Sequence, residues 1–223
     1  MGGGGFAMEP KNPLLDRYVL SLAKKSKPRI CFIGTASGDS ERYIDRFYRA
    51  YKRLNCVPVH LSLFKPQTRD LRGFVSHQDI VHVGGGNTKN LLCLWQEWEL
   101  DQVIRDAYRK GLILTGISAG MICWFEEGLT DSFGGIDPLE CLGILKGSAS
   151  PHFDNESKRR PKYISLIRSG RIRGGLALDD GVGALFSDEE LVECVSSRRG
   201  AGAYRFESRT AKEEKIPVRY LGR

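Results

Sequence analysis

A serine, a histidine and a carboxylate together turn a weak alcohol into a nucleophile, and this sequence holds one serine in a setting that suits the task. Gly116-Ile117-Ser118-Ala119-Gly120 follows the apolar run Leu112–Thr115 and precedes Met121-Ile122-Cys123-Trp124-Phe125, which can begin a helix. A strand that turns at once into a helix forces strained backbone on the corner residue. Small neighbours let the hydroxyl stand clear while the chain passes close by. The helix start behind Ser118 then offers free N–H groups and a positive dipole end to a developing oxyanion. The plain alternative is an ordinary glycine-rich strand-to-helix turn.

Such a serine needs a base within hydrogen-bond reach. Of the 4 histidines, His60 and His82 alternate with apolar residues in strand-like runs and read as packed side chains. His77 lies in a polar stretch and reads as exposed. His152 sits in Ser150-Pro151-His152-Phe153-Asp154, between a strand-like segment and a helix, where the loops of α/β proteins gather around strand ends. It is the candidate base. Two carboxylates compete to orient it: Asp131, in the loop after the serine turn, and Asp180, which ends the apolar run Leu176–Leu178 before Gly181. Spacing does not choose between them, and either also reads as a turn or cap residue.

Gly84-Gly85-Gly86-Asn87-Thr88 is a second glycine tract between strand and helix. It matches neither a dinucleotide fingerprint nor a phosphate loop. Its expected task is to complete an oxyanion hole, with a Gly85 or Gly86 N–H joining that of Ala119. Asn87 reads either as a substrate contact or, with Thr88, as a helix cap.

Around these motifs the pattern alternates. Asn12-Pro13 opens a helix, with Asn12 as its cap. Strand-like runs lie at Arg29–Gly34, Val57–Leu63, Asp79–Gly85 and Leu112–Ser118, with helical stretches between them. One of these helices puts Ile44, Phe47, Tyr51 and Leu54 on one face. Another is expected to run unbroken from Thr88 to Lys110. After a Gly- and Asp-rich loop beyond Gly128, a short strand ends near Leu145 and a helix spans about Glu156–Ser169. Short antiparallel strands follow from about Gly175. The expected fold is a single-domain three-layer α/β/α sandwich, residues 1–223, on a mostly parallel sheet.

The 223 residues are 41% hydrophobic and 27% charged, enough apolar content to exclude a disordered chain. No apolar run approaches the length of a membrane span. The start lacks the pattern of a signal peptide, and Phe6 stands where a myristoylation signal wants Ser or Thr. The 6 cysteines are scattered without a C-x-x-C pair, which suits a reduced cytoplasmic protein. The net charge of +7 draws on a cluster at Lys158, Arg159, Arg160, Lys162, Arg168, Arg171 and Arg173. No nucleic-acid motif accompanies it, so it reads as a solvated helix face. No cofactor, metal, nucleic acid or membrane is expected as a partner.

These pieces in this order resemble the peptidase E (aspartyl dipeptidase) family of serine peptidases, relatives of cyanophycinase. The resemblance rests on Gly84–Thr88, Gly116–Gly120, Pro151-His152-Phe153 and Asp179-Asp180-Gly181. It implies a fold like class I glutamine amidotransferases with serine as nucleophile. Ser118 would then attack, His152 serve as base, Asp180 or Asp131 as acid, and Gly85 or Gly86 with Ala119 as oxyanion donors. The substrates would be short peptides, with dipeptides beginning with aspartate among them, and Arg159 would hold the aspartyl side chain. A homodimer is expected on the same grounds. Relatives of this subtype carry an apolar strand ahead of the glycine stretch, so either the sheet lacks its first strand or the chain starts upstream of Met1. The mass of the natural N-terminus checks this. Two alternatives stand beside the peptidase: an esterase-type serine hydrolase, and a non-catalytic ligand-binding protein on the same scaffold.

Overall fold

The computed structural model describes residues 1–222. Helices α1 (Gly5–Met8) and α2 (Leu14–Ser21) precede β1 (Arg29–Ile33). There follow α3 (Glu41–Tyr51), β2 (Val57–Leu61), α4 (Leu71–Ser76), β3 (Ile80–Val83), α5 (Thr88–Glu97), α6 (Leu100–Arg109), β4 (Ile113–Gly116) and α7 (Ala119–Ile122). The second half holds β5 (Phe125–Thr130), β6 (Asp137–Glu140), β7 (Leu145–Ser150), α8 (Arg159–Arg168) and β8 (Gly175–Leu178). It closes with β9 (Val182–Ser187), β10 (Glu190–Ser196), β11 (Ala203–Phe206), β12 (Glu213–Ile216) and β13 (Val218–Tyr220).

Three sheets result. One has the order β2-β1-β3-β4 and is parallel throughout. A second runs β12-β11-β8-β7-β5-β6; its centre, β8-β7-β5, is parallel and its flanks are antiparallel. The third is β13-β10-β9. The architecture is thus α/β with a mostly parallel centre, as the alternation of elements predicts, and with antiparallel strands gathered toward the C-terminus.

The apolar pattern explains which strands lie deepest. All of β3 is buried, and so is β1 after its first residue, the mark of strands covered on both faces. Behind β1, Phe6, Phe32, Phe47 and Tyr51 make edge-on and stacked ring contacts. Phe47 and Tyr51 are the buried stripe expected of α3. Asp16 is buried among these rings, where Oδ1 accepts the Phe6 N–H at 3.2 Å and the Tyr51 hydroxyl at 3.0 Å. Burial raises its carboxyl above the ordinary carboxylate range.

Several expected boundaries shift. The helix expected over Thr88–Lys110 is two helices, broken at Glu99, which takes a left-handed φ of 52°. A single helix of that length would run to about 34 Å, well past strands of four or five residues spanning about 15 Å. The break lets Trp95 and Leu100 both turn into the core, with the Trp95 indole N–H donating to Thr35 Oγ1 at 3.1 Å. Pro13, not Asn12, takes the cap position of α2, and the Asn12 side chain accepts the Leu14 N–H instead. The helix after Ser118 is a single turn before β5 begins.

Candidate active site

The corner at Ser118 has the expected strain, with φ 55° and ψ −112°, a combination rare for a residue with a side chain. Its flanking glycines are there for closeness of approach. A Cβ on Gly116 would lie 2.0 Å from the Gly120 carbonyl oxygen, and one on Gly120 would lie 2.1 Å from that of Val83. Ser118 takes the cap position of α7 without spending its hydroxyl on a cap bond.

That hydroxyl lies 2.9 Å from Nε2 of His152. The other ring nitrogen, Nδ1, lies 2.6 Å from Oδ1 of Asp180. With the proton on Nδ1, the ring donates to the carboxylate and accepts from the serine, the polarity that general-base chemistry requires. The topology explains how residues 34 and 28 positions from His152 meet it. Ser150 pairs with Ala177 between β7 and β8, so the loops beyond both strands leave side by side at their carboxyl ends. His152 itself has a left-handed φ of 51°.

Asp180 is held on several sides. Asn155 Nδ2 donates to its Oδ2 at 3.0 Å, and its own N–H donates to Asp154 Oδ1 at 2.9 Å. Arg198 Nε donates to the Asp180 carbonyl at 3.2 Å, while its Nη2 pairs with Asp154. The Arg198 guanidinium holds the Asp154 carboxyl below its usual range against the opposing effect of burial, aided by the Asp180 N–H. Asp131, the rival carboxylate, is exposed on the loop after β5, and the imidazole position it would fill is occupied by Asp180.

The glycine tract reaches the serine because Val83 and Gly116 are paired, so both loops leave the same end of neighbouring strands. Gly85 faces Ser118, but its N–H donates to the Tyr43 hydroxyl at 3.3 Å. Gly86, with φ 139°, and Ala119 keep N–H groups that bond to no other described residue. Asn87 caps α5, its Oδ1 accepting the Asn90 N–H at 2.9 Å and its Nδ2 donating to the Ser132 carbonyl at 3.1 Å. Both ends of that side chain are therefore committed.

Arg159 is similarly committed. It is 2% exposed; Nε donates to Glu156 at 2.8 Å and Nη1 to the Leu129 carbonyl at 2.9 Å. Its neighbour Arg160 packs over Phe153 and Tyr204 and pairs with Glu213. His82 is buried, as its strand pattern predicts, while His60 is half-buried and meets Tyr48 and Gln67. Among the described residues no cluster of three or more His, Cys, Asp or Glu could hold a metal.

One part of the site was not foreseen. The first three residues thread between its components, and each carbonyl takes one N–H from it. Met1 accepts from Ser118 at 3.2 Å, Gly2 from His152 at 3.2 Å and Gly3 from Gly181, next to Asp180, at 3.1 Å. Glycine-rich starts are common, and only the folded arrangement shows what this one touches.

With this geometry in view, comparison with known proteins is informative. The model of peptidase family S51 matches residues 1–194. An uncharacterized peptidase, YgaJ, from Bacillus subtilis (strain 168) is 54% identical over 224 residues, covering 100% of this chain and 97% of that protein, which leaves about seven of its residues outside the match. A peptidase from an acI-B1 Actinobacterium superposes with a TM-score of 0.75 at 18% identity, over 98% of this chain and 92% of that one. A Listeria monocytogenes EGD-e protein assigned as a peptidase E gives 0.58 at 15% identity, over 90% and 93%.

Proposed function

Because the chain belongs to peptidase family S51, we propose that it is a serine peptidase that hydrolyses short peptides through Ser118, His152 and Asp180. The observation that carries the reading is the unbroken chain of contacts from a strained serine to an imidazole to a carboxylate, at 2.9 and 2.6 Å. His152 takes the Ser118 proton as Oγ attacks the scissile carbonyl carbon. The Gly86 and Ala119 N–H groups face the oxyanion that forms, and each such donor is worth about 3–4 kcal/mol of barrier elsewhere. The imidazolium, steadied by Asp180, returns its proton to the leaving amine. Water then attacks the acyl-enzyme by the same route and frees the serine.

The order Ser, His, Asp along the chain differs from the Ser, Asp, His order of α/β-hydrolases, which weighs against the esterase reading. Arg159 has no free face for an aspartyl side chain, so the proposed substrate class is short peptides without a required acidic residue. Four buried unpaired thiols among the 6 suit a reducing compartment such as the cytoplasm. No helix of the described residues is long and apolar enough to cross a membrane.

A fluorophosphonate probe tests the proposal. Labelling is expected at Ser118 and is expected to vanish in Ser118→Ala, with a dipeptide library reporting turnover in parallel. Equal labelling of the two proteins refutes it.

A further inference from the structure

Eight consecutive N–H groups, from Gly84 to Leu91, lead from the end of β3 into α5, and seven of them are engaged within the chain. Gly84 donates to the Ile33 carbonyl, Gly85 to the Tyr43 hydroxyl and Asn87 to the Ala36 carbonyl. Thr88 and Lys89 both donate to Ser132 Oγ, at 3.0 and 3.3 Å. Asn90 donates to Asn87 Oδ1 and Leu91 to the Asn87 carbonyl. Gly86 alone bonds to no described residue. A helix start ordinarily leaves several N–H groups open to any nearby anion. Here the others are taken, and a single donor beside Ser118 is left.

The residue that takes two of them, Ser132, belongs to neither α5 nor its sheet. It lies in the loop after β5, where the Gly134 N–H donates to the Asp131 carbonyl at 3.0 Å and closes a tight turn. Its carbonyl also accepts Asn87 Nδ2 at 3.1 Å. The count of protons gives the hydroxyls a direction. Ser132 Oγ already accepts two N–H groups, so its own proton goes to Thr130 Oγ1, 2.8 Å away. Thr130 Oγ1 accepts the Ser132 N–H as well, at 3.2 Å, which leaves its proton for Thr88 Oγ1 at 3.3 Å. Thr88 and Thr130 are buried, so a partner lost from this relay is not replaced by water.

We infer that Ser132 is a positioning residue of the oxyanion hole. It holds Asn87, Thr88 and Lys89 on one side of Gly86, as Tyr43 holds Gly85 on the other, and so keeps the Gly86 N–H aimed at the reacting carbonyl. The inference rests on the peptidase reading and adds to it a part from a different sheet. Glycine at φ 139° has no side chain to fix its own backbone, so its neighbours must supply the rigidity. Removing the Ser132 hydroxyl strands two N–H groups and Thr130 Oγ1 together. The first turn of α5 is then free to shift, and the Gly86 donor moves with it.

Ser132→Ala, Ser132→Thr and Thr130→Val test this against the parent chain. In Ser132→Ala, kcat for the best dipeptide is expected to fall about 10- to 100-fold with KM within about twofold. A dipeptide aldehyde forms a tetrahedral adduct on Ser118 and needs the hole. Its affinity should weaken by the factor lost in kcat/KM, while that of a product amino acid stays the same. Exchange of the Thr88 and Lys89 amide hydrogens should quicken about tenfold or more. Ser132→Thr keeps the hydroxyl and should restore kcat to within about threefold. Thr130→Val keeps the shape but removes the acceptor of the Ser132 proton, and should lose about three- to tenfold in kcat. That pair carries the test if Ser132→Ala does not fold. Unchanged kcat and aldehyde affinity in Ser132→Ala, or equal weakening of aldehyde and product, overturns the inference; so does a Ser132→Thr enzyme as slow as Ser132→Ala. A parent chain that neither labels at Ser118 nor cleaves any dipeptide refutes the peptidase reading itself. A labelled, active parent with an indifferent Ser132→Ala refutes only the role of Ser132.

Discussion

The proposed nucleophile, Ser118, and its proposed base, His152, are positioned by different physics. Around Ser118 the constraint is steric: glycines at 116 and 120 allow two carbonyls to approach within about the radius of a missing Cβ, and the corner is fixed by backbone packing. Around His152 and Asp180 the constraint is polar: Asn155 donates to the Asp180 carboxylate, while Asp154 and Arg198 hold the Asp180 backbone N–H and carbonyl. The first kind of site fails by not fitting. The second fails by degrees, because each bond is one of several.

Four changes press on that contrast. The largest effect belongs to Asp180→Asn, which leaves the contact partners in place but removes the charge that steadies the imidazolium. Turnover of the best dipeptide is expected to fall by about 10⁴-fold, while Asp131→Asn leaves it unchanged. A matching loss in Asp131→Asn would mean that the acid has been misplaced. Next comes Gly120→Ala, whose Cβ meets the Val83 carbonyl. Urea titration should show a loss of about 1–3 kcal/mol together with lost labelling of Ser118. Asn155→Ala then tests the polar side. Losing one hydrogen bond to a charged group, about 1.4 kcal/mol, should lower kcat about tenfold and Tm by only about 3–6 °C.

The last change is in acid, and it belongs to the sheet that leads into Ser118. His82 lies in β3 with neither ring nitrogen bonded, and burial lowers it from 6.5 to about 3. The unfolded chain therefore binds a proton at this residue that the folded chain refuses. Its contribution to stability is whole above pH 6.5 and fades as pH falls toward 3, by about 1.4 kcal/mol per unit. In His82→Leu, ΔG of unfolding between pH 7 and pH 5 should fall less steeply than in the parent protein. Identical slopes would show that the ring titrates freely.

The same contrast decides what could be read from the sequence. The serine corner was legible because its steric demand admits so few residue types that Gly-Ile-Ser-Ala-Gly after an apolar strand carries its own explanation. That His152 lies near Ser118 was legible by its place beyond a strand end. That Asp180 rather than Asp131 contacts its ring was not, because this depends on β7 and β8 lying side by side, a matter of topology. Nor could Gly85 be told from Gly86: the hydroxyl of Tyr43, 42 residues away, engages one of them. The family resemblance alone offered Arg159 as a substrate contact, and an arginine in a basic stretch gives no sign that Glu156 and a carbonyl surround it. The break at Glu99 was hidden for a similar reason, since helical periodicity continues across it and only the short span of the sheet calls for a turn.

The serine rides on the sheet that contains β4, whereas the imidazole and carboxylate ride on loops leaving β7 and β8 of another sheet. A relay assembled across such a seam is more fragile than either side. In rising denaturant, hydrolysis should stop while circular dichroism still reports intact helices and strands, because a slip of one ångström at the join silences the chemistry long before either half melts.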